Sequence, residues 1–224
     1  MGAVELHFEA TRGSGPVSAR LLRPDAARWL LVLGHGAGAG MRHPFMEAIA
    51  AGLAARGVAS LRYQFPYMEA GRRGPDPQPV LLATVRAAVG AAATAAGDLC
   101  LAAGGKSMGG RMTSLAAARE PLPGVRRIVF LGFPLHAAGR TPSGERGLHL
   151  SQLKLPILFV QGARDRLADL ERLRPLCASL GATLRVVEGA DHSFHVPRRS
   201  GRSDAEAIEE VATAVAGWLG DPDA

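Results

Sequence analysis

Ser107 lies in the stretch AAGGKSMGGRM (Ala102 to Met112), and the glycines around it permit different kinds of chemistry. Gly105-Lys106-Ser107-Met108-Gly109 fits G-x-S-x-G, the pattern of a turn that presents a nucleophilic serine between a strand and a helix. Such a turn is tight, and side chains two positions before and after the serine would clash. Gly105 and Gly109 remove those side chains, and Gly110 adds room for the helix to approach the strand. The Lys106-Ser107 pair also resembles the end of a phosphate-binding loop, G-x-x-x-x-G-K-[ST]. That alignment puts Cys100 where the first glycine belongs, inside the apolar run DLCLAA, and leaves too little chain to wrap phosphates. A second glycine run, GHGAGA (Gly34 to Ala39), fits a dinucleotide fingerprint. The next strand ends ASLRYQ, with Arg62 where an acid should hold the ribose, so this match is weak.

A serine hydroxyl becomes a useful nucleophile when a neighbouring base takes its proton. In the strand-turn-helix arrangement the partners follow in the order Ser, acid, His. Asp165 comes just after the apolar run PILFVQG, and His192 lies in the loop after TLRVVEG. Both therefore leave the edge of the sheet on which Ser107 sits. Asp169 is the rival acid, expected inside the helix that starts near Leu167, and Asp165 could instead cap that helix. His195 is the rival base. Asp191 is too near His192 to orient it from behind and suits a loop hydrogen bond. His7, His35, His43, His136 and His149 have no comparable placement. The oxyanion that forms on acyl transfer needs two N–H donors. Met108 supplies one and Ala37, in the GHGAGAG loop, the other, with Gly36 or Gly38 as alternatives. Arg62, Tyr67, Met68, Phe133 and His136 are the candidate substrate-lining residues, and Arg62 would suit an anionic substrate group.

Positioning these side chains takes an alternation of strands and helices. VELHF and VSARLLR show period-two alternation and predict an antiparallel hairpin at one edge. RWLLVLG, VASLRY, DLCLAA, RRIVFLG, PILFVQG and TLRVVEG predict further strands, most of them apolar enough to be covered on both faces. Helical segments are predicted at residues 43–56, 80–96, 108–119, 167–180 and 204–219. The sum is an α/β fold with a mostly parallel sheet and helices on both faces. The irregular stretches 65–79 and 133–155 are each shorter than the roughly 50 residues of a domain, so a single domain over residues 1–224 with no separate cap is expected.

The 224 residues are 47% hydrophobic, enough for one sizeable core. No apolar run close to 20 residues is evident, so no membrane span is expected. The N-terminal MGAVELHFEATRG lacks a signal-peptide pattern, which points to a cytoplasmic protein with reduced thiols at Cys100 and Cys177. No Cys/His spacing suits a metal, and none of the chemistry above calls for a cofactor. The net charge of +6 invites an anionic partner, but basic residues are dispersed apart from PRRSGR, and aromatics make up only 5%. Nucleic acid is therefore not the expected partner; a small acyl substrate is. Oligomeric state is not legible.

The segments LGHGAGAGMRHPFM, LRYQFPYMEAGRR, GGKSMGGRM, GFPLHAAGR, LPILFVQGARD and GADHSF together resemble the α/β-hydrolases. More narrowly, they resemble the small family shared by a testis-expressed hydrolase-like protein and a subunit of a histone-acetyltransferase complex. A looser likeness is to dienelactone-hydrolase-like enzymes, which use cysteine where this chain has Ser107. The resemblance implies the α/β-hydrolase fold and a Ser107, Asp165 and His192 triad, but no substrate. The expectation is hydrolysis of a carboxylic ester or thioester. A peptidase or amidase, or a non-catalytic binding or scaffolding module on the same fold, is the alternative.

Overall fold

A computed structural model describes residues 2–141 and 143–223. Eight strands form one sheet: β1 (Val4–Thr11), β2 (Gly15–Leu22), β3 (Trp29–Gly34), β4 (Val58–Tyr63), β5 (Cys100–Lys106), β6 (Val125–Leu131), β7 (Ile157–Gly162) and β8 (Thr183–Val187). Their order across the sheet is β1-β2-β4-β3-β5-β6-β7-β8. β1 and β2 form the antiparallel edge, β2 pairs antiparallel with β4, and from β4 to β8 every pairing is parallel.

The central strands β3 to β7 are almost wholly buried because both faces are covered, and successive residues serve opposite layers. Leu30, Val32, Ile128, Phe130 and Phe159 belong to a core with α3 (Gln78–Ala96), α4 (Met108–Arg119) and α5 (Leu170–Leu180). Leu31, Leu33, Val129, Leu131 and Leu158 belong to a second core with α1 (Pro44–Ala54) and α6 (Asp204–Gly220). The two-residue period of a strand thus builds two cores from one run of sequence.

Helix ends follow from the residues at them. The His43 side chain accepts from the Phe45 N–H and caps α1, with Pro44 in the first turn. Ser203 and Glu206 form a reciprocal capping box at the start of α6. The fifth helix begins at Leu170, later than the Leu167 expected, because Asp169 is its N-cap and accepts from the Glu171 N–H. Asp169 is therefore occupied, and Asp165 is not the cap. Three short pieces were not expected: the four-residue α2 (Pro66–Glu69) and two 3₁₀ segments, Glu145–Gln152 and Arg198–Ser200.

The third helix corrects another expectation. It runs 19 residues with a mean hydropathy of 1.5 in its most apolar window, long and apolar enough to cross a membrane. Here its Leu81, Leu82, Val85, Ala88, Val89 and Ala92 are buried in the first core. Among the described residues no separate cap domain stands over the sheet. The strand order reverses direction between β4-β3 and β3-β5, and the carboxyl edge at such a switch point is where open α/β sheets bind ligands.

Candidate active site

The fifth strand runs directly into the fourth helix through Ser107, whose φ of 50° and ψ of −110° lie outside the comfortable regions for a side-chain-bearing residue. Such a conformation costs about 1–3 kcal/mol and persists because the surroundings over-determine it. The Ser107 N–H donates to the Leu131 carbonyl at 3.0 Å, and the Ser107 carbonyl accepts from the Arg111 N–H at 3.0 Å. Register does the rest: Gly34 of β3 pairs with Gly105 of β5, bringing the two glycine-rich turns side by side. A Cβ at Gly105 would stand 2.4 Å from the Gly34 carbonyl oxygen, and one at Gly109 would stand 2.2 Å from it. Only glycine allows that approach.

Three of the residues anticipated from sequence meet. Ser107 Oγ lies 2.8 Å from His192 Nε2, and His192 Nδ1 lies 2.7 Å from Asp165 Oδ2. With Nδ1–H donating to the carboxylate, Nε2 is free to accept the hydroxyl proton. Asp165 is buried, and two further donors converge on it: the Leu167 N–H at 2.8 Å and the Gln161 side-chain amide. Gln161 is itself fixed, because its Oε1 accepts from the Phe133 N–H at 2.9 Å.

The histidine loop is held from several directions. Asp191 Oδ1 accepts from the Ser193 N–H at 2.8 Å and the His195 N–H at 3.0 Å, the loop role expected of it. His195, the rival base, is exposed and pairs with Asp204, away from Ser107. Lys106 points inward. Its Nζ donates to the His192 carbonyl at 2.7 Å and stands 5.9 and 5.6 Å from the stacked rings of Phe45 and Phe194. Burial lowers its pKa to about 8, opposed by the charges of Asp165 and Asp191.

The loop after β3 carries the proposed second oxyanion donor. His35 is fully buried and bridges two segments: its Nδ1 donates to the Gly36 carbonyl at 2.8 Å, while Nε2 accepts from the Phe65 N–H at 3.1 Å. Burial lowers its pKa to about 4, with the Gly36 carbonyl opposing, so the ring is neutral at pH 7. The Gly38 N–H donates to the Tyr67 hydroxyl at 3.1 Å, and the Met41 N–H donates to Gln64 Oε1 at 2.7 Å. Gly38 is thereby committed elsewhere. Among the hydrogen bonds of the described residues, neither the Ala37 nor the Met108 N–H has a protein acceptor. Both residues line space next to Ser107.

That space consists of two clefts. One, of about 280 Å³, has His43, Phe45, Met46, Lys106, His192 and Ser193 in its wall. The other, of about 380 Å³, has Leu81, Met108, Arg111, Met112, Arg146 and Leu167. Ala37 and Ser107 belong to both.

The substrate-lining expectations need correction. Arg62 is 1% exposed and spends its guanidinium on Glu47 at 2.8 Å and the Met41 carbonyl at 3.1 Å. Its side chain is buried because β4 is covered on both faces, and it pairs with the half-exposed Glu47 of α1. Phe133 is buried among Phe130 and Phe159. Tyr67 is buried and holds the β3 loop through its hydroxyl, lining neither cleft. Met68 packs on the first core, its Cε 3.3 Å from the point where a Cβ would stand on Gly40. His136 is buried with Nδ1 on the Ala137 carbonyl at 3.0 Å, and only its own carbonyl reaches the second cleft's wall, accepting from Arg146 at 3.2 Å. Sequence reasoning missed His35, Gln161, Arg111 and Arg146. For Arg111 a signal existed, since it stands four residues after Ser107 and so on the same helix face.

Residues 27–220 match the family model of the alpha/beta hydrolase domain. Solved structures share the fold. A lid-less α/β serine hydrolase from Xanthomonas campestris is 19% identical, with a TM-score of 0.73 over 99% of this chain and 97% of that one. A dienelactone hydrolase from Anabaena variabilis is 19% identical, with a TM-score of 0.73 over 98% of each chain. An α/β serine hydrolase homologue from Coxiella burnetii is 17% identical, with a TM-score of 0.71 over 96% of this chain and 98% of that one.

Proposed function

The chain belongs to the α/β-hydrolase family, and from that premise we propose that it is a serine hydrolase cleaving carboxylic esters or thioesters through an acyl-enzyme. The observation that carries the reading is the unbroken hydrogen-bonded line from Ser107 Oγ through His192 to Asp165.

In the first step the Ser107 hydroxyl proton passes to His192 Nε2 as Oγ bonds to the substrate carbonyl carbon. The carbonyl oxygen becomes an oxyanion between the Ala37 and Met108 N–H groups. As the intermediate collapses, the carbon–oxygen or carbon–sulfur bond breaks and His192 gives its proton to the leaving group. Water then repeats the sequence: its proton goes to His192, its oxygen attacks the acyl carbon, and Ser107 recovers its proton as the acid departs. Asp165 holds the imidazole tautomer throughout. The Met108 N–H lies in the first turn of α4, where the positive end of the helix dipole adds to the stabilisation of the oxyanion.

Placement within the branch of testis-expressed and histone-acetyltransferase-complex proteins rests on the six sequence segments quoted above.

A fluorophosphonate probe tests the reading. It should label the native protein at Ser107 and leave Ser107→Ala unlabelled, and that variant should lose about 10⁴-fold or more in 4-nitrophenyl ester turnover. Labelling that survives in Ser107→Ala would contradict the serine's role. Native protein inert to both probe and esters would favour a non-catalytic binding role.

A further inference from the structure

The two clefts beside Ser107 are chemically unlike, and the difference bears on the substrate of the reaction proposed above. His192 lines the cleft that also holds Phe45, Met46 and Lys106, and it does not line the other. The leaving group must take its proton from His192 Nε2, so it departs into the cleft His192 lines. The acyl chain then lies in the cleft on the other side of Ser107.

That second cleft has an apolar lining of Leu81, Met112 and Leu167, interrupted by two guanidinium groups, Arg111 and Arg146. Among the described residues neither arginine takes part in an ion pair, although eleven such pairs occur elsewhere in the chain. Among the described residues the Arg146 guanidinium donates only to the His136 carbonyl, at 3.2 Å. The Arg111 Nε is buried with no hydrogen-bond partner. Two like charges are thus held side by side in a cleft wall. Burial lowers the Arg111 pKa, the charge of Arg146 lowers it further, and Glu145 opposes. Asp76, the acid among the described lining residues, is already bound to Arg72 and accepts from the Tyr67 N–H at 2.7 Å. His149, close enough to feel the Arg111 charge, is kept neutral, its pKa lowered to about 4 by burial and then by that charge. Among the described residues Glu145 answers this positive charge only from a distance, forming no ion pair with either arginine, and a bound carboxylate would answer it directly.

We propose that Arg111 and Arg146 form an anion subsite for the acyl group, making the preferred substrate a mono(thio)ester of a short dicarboxylic acid. Arg111 lies one helical turn beyond Ser107, about 6 Å along the axis, which suits an acyl chain of about four to six carbons ending in a carboxylate. Guanidinium forks meet carboxylates with two parallel hydrogen bonds, which a neutral chain end cannot replace. Water is the only co-reactant, and the products are a dicarboxylate and the free alcohol or thiol.

The test compares mono-4-nitrophenyl glutarate with 4-nitrophenyl pentanoate, which have the same chain length and leaving group. The native protein should favour the anionic ester at least tenfold in kcat/KM. Arg111→Ala and Arg146→Ala should each lower that ratio at least tenfold, chiefly through KM, and 0.5 M NaCl should lower it in the native protein. Equal use of the two esters by native protein, or a ratio that survives both substitutions, would overturn the subsite while leaving the serine hydrolase reading intact. Calorimetric titration of glutarate into folded Ser107→Ala separates the two readings, because it needs no turnover. Binding with a Kd of about 1 mM or tighter, weakened at least tenfold when Arg111→Gln is added, supports the subsite even if neither ester is cleaved. No heat at that concentration overturns it.

Discussion

The two glycine-rich turns at the carboxyl edge look alike in sequence and are held in place by different forces. The turn around Ser107 is fixed by backbone packed against backbone. Gly105 and Gly109 lie so near the Gly34 carbonyl that no other residue fits. The turn from Gly34 to Gly40 is fixed at a distance, by the His35 ring on Phe65, the Tyr67 hydroxyl on Gly38 and the Gln64 side chain on Met41. All three anchors come from the segment that follows β4. A nucleophile must hold one position, and close packing allows no alternative to it. A donor loop reaches over a substrate from the side, with little backbone to lean on, and polar anchors substitute for contact.

The contrast predicts different failures. Gly109→Ala should be the most damaging, since its Cβ meets the Gly34 carbonyl and neither backbone can yield. A loss of about 3 kcal/mol in urea unfolding, together with loss of probe labelling, is expected. A fully stable Gly109→Ala protein would mean that the elbow is looser than its geometry indicates.

The second effect concerns acid. His35 has a folded pKa of about 4, below the ordinary 6.5, so the native state resists its proton while the unfolded chain accepts it. Its contribution is complete above pH 6.5 and is lost as pH falls toward 4. Between pH 7 and pH 5 this amounts to about 2 kcal/mol. His35→Gln should lose less stability than the native protein over that interval, by about the same amount. The half-buried His149, its pKa also lowered to about 4, titrates in the same direction and stays in both proteins, so the difference isolates His35. Parallel stability–pH curves would remove the ring from the account of the loop.

The smallest change is Tyr67→Phe. It leaves the Gly38 N–H without its acceptor at a cost of about 1 kcal/mol. Because the altered loop carries Ala37, kcat for a neutral ester should fall about tenfold with KM little moved. A fall in KM-dependent binding alone would place Tyr67 with the substrate, not with the loop.

The elbow, the strand order of its partners and the alternation of strands and helices were readable from the chain, since each depends on neighbours in sequence. G-x-S-x-G marks its own turn, and apolar runs such as RWLLVLG announce doubly covered strands. Asp165 and His192 were readable because each follows a strand end. The cleft residues were not. Arg62 looked available at the end of β4, yet it is consumed by Glu47 from α1, a contact between segments unrelated in sequence. Tyr67, expected at the substrate, supports the β3 loop through its hydroxyl.

The sequence alone determined which residues carry reactive groups and which edge of the sheet they occupy, because strand periodicity and turn chemistry are local. Tertiary structure decided how each charge is spent. The buried Arg62 is neutralised by Glu47, while among the described residues Arg111 and Arg146 have no ion-pair partner beside the serine, because ion pairing depends on which distant elements pack together.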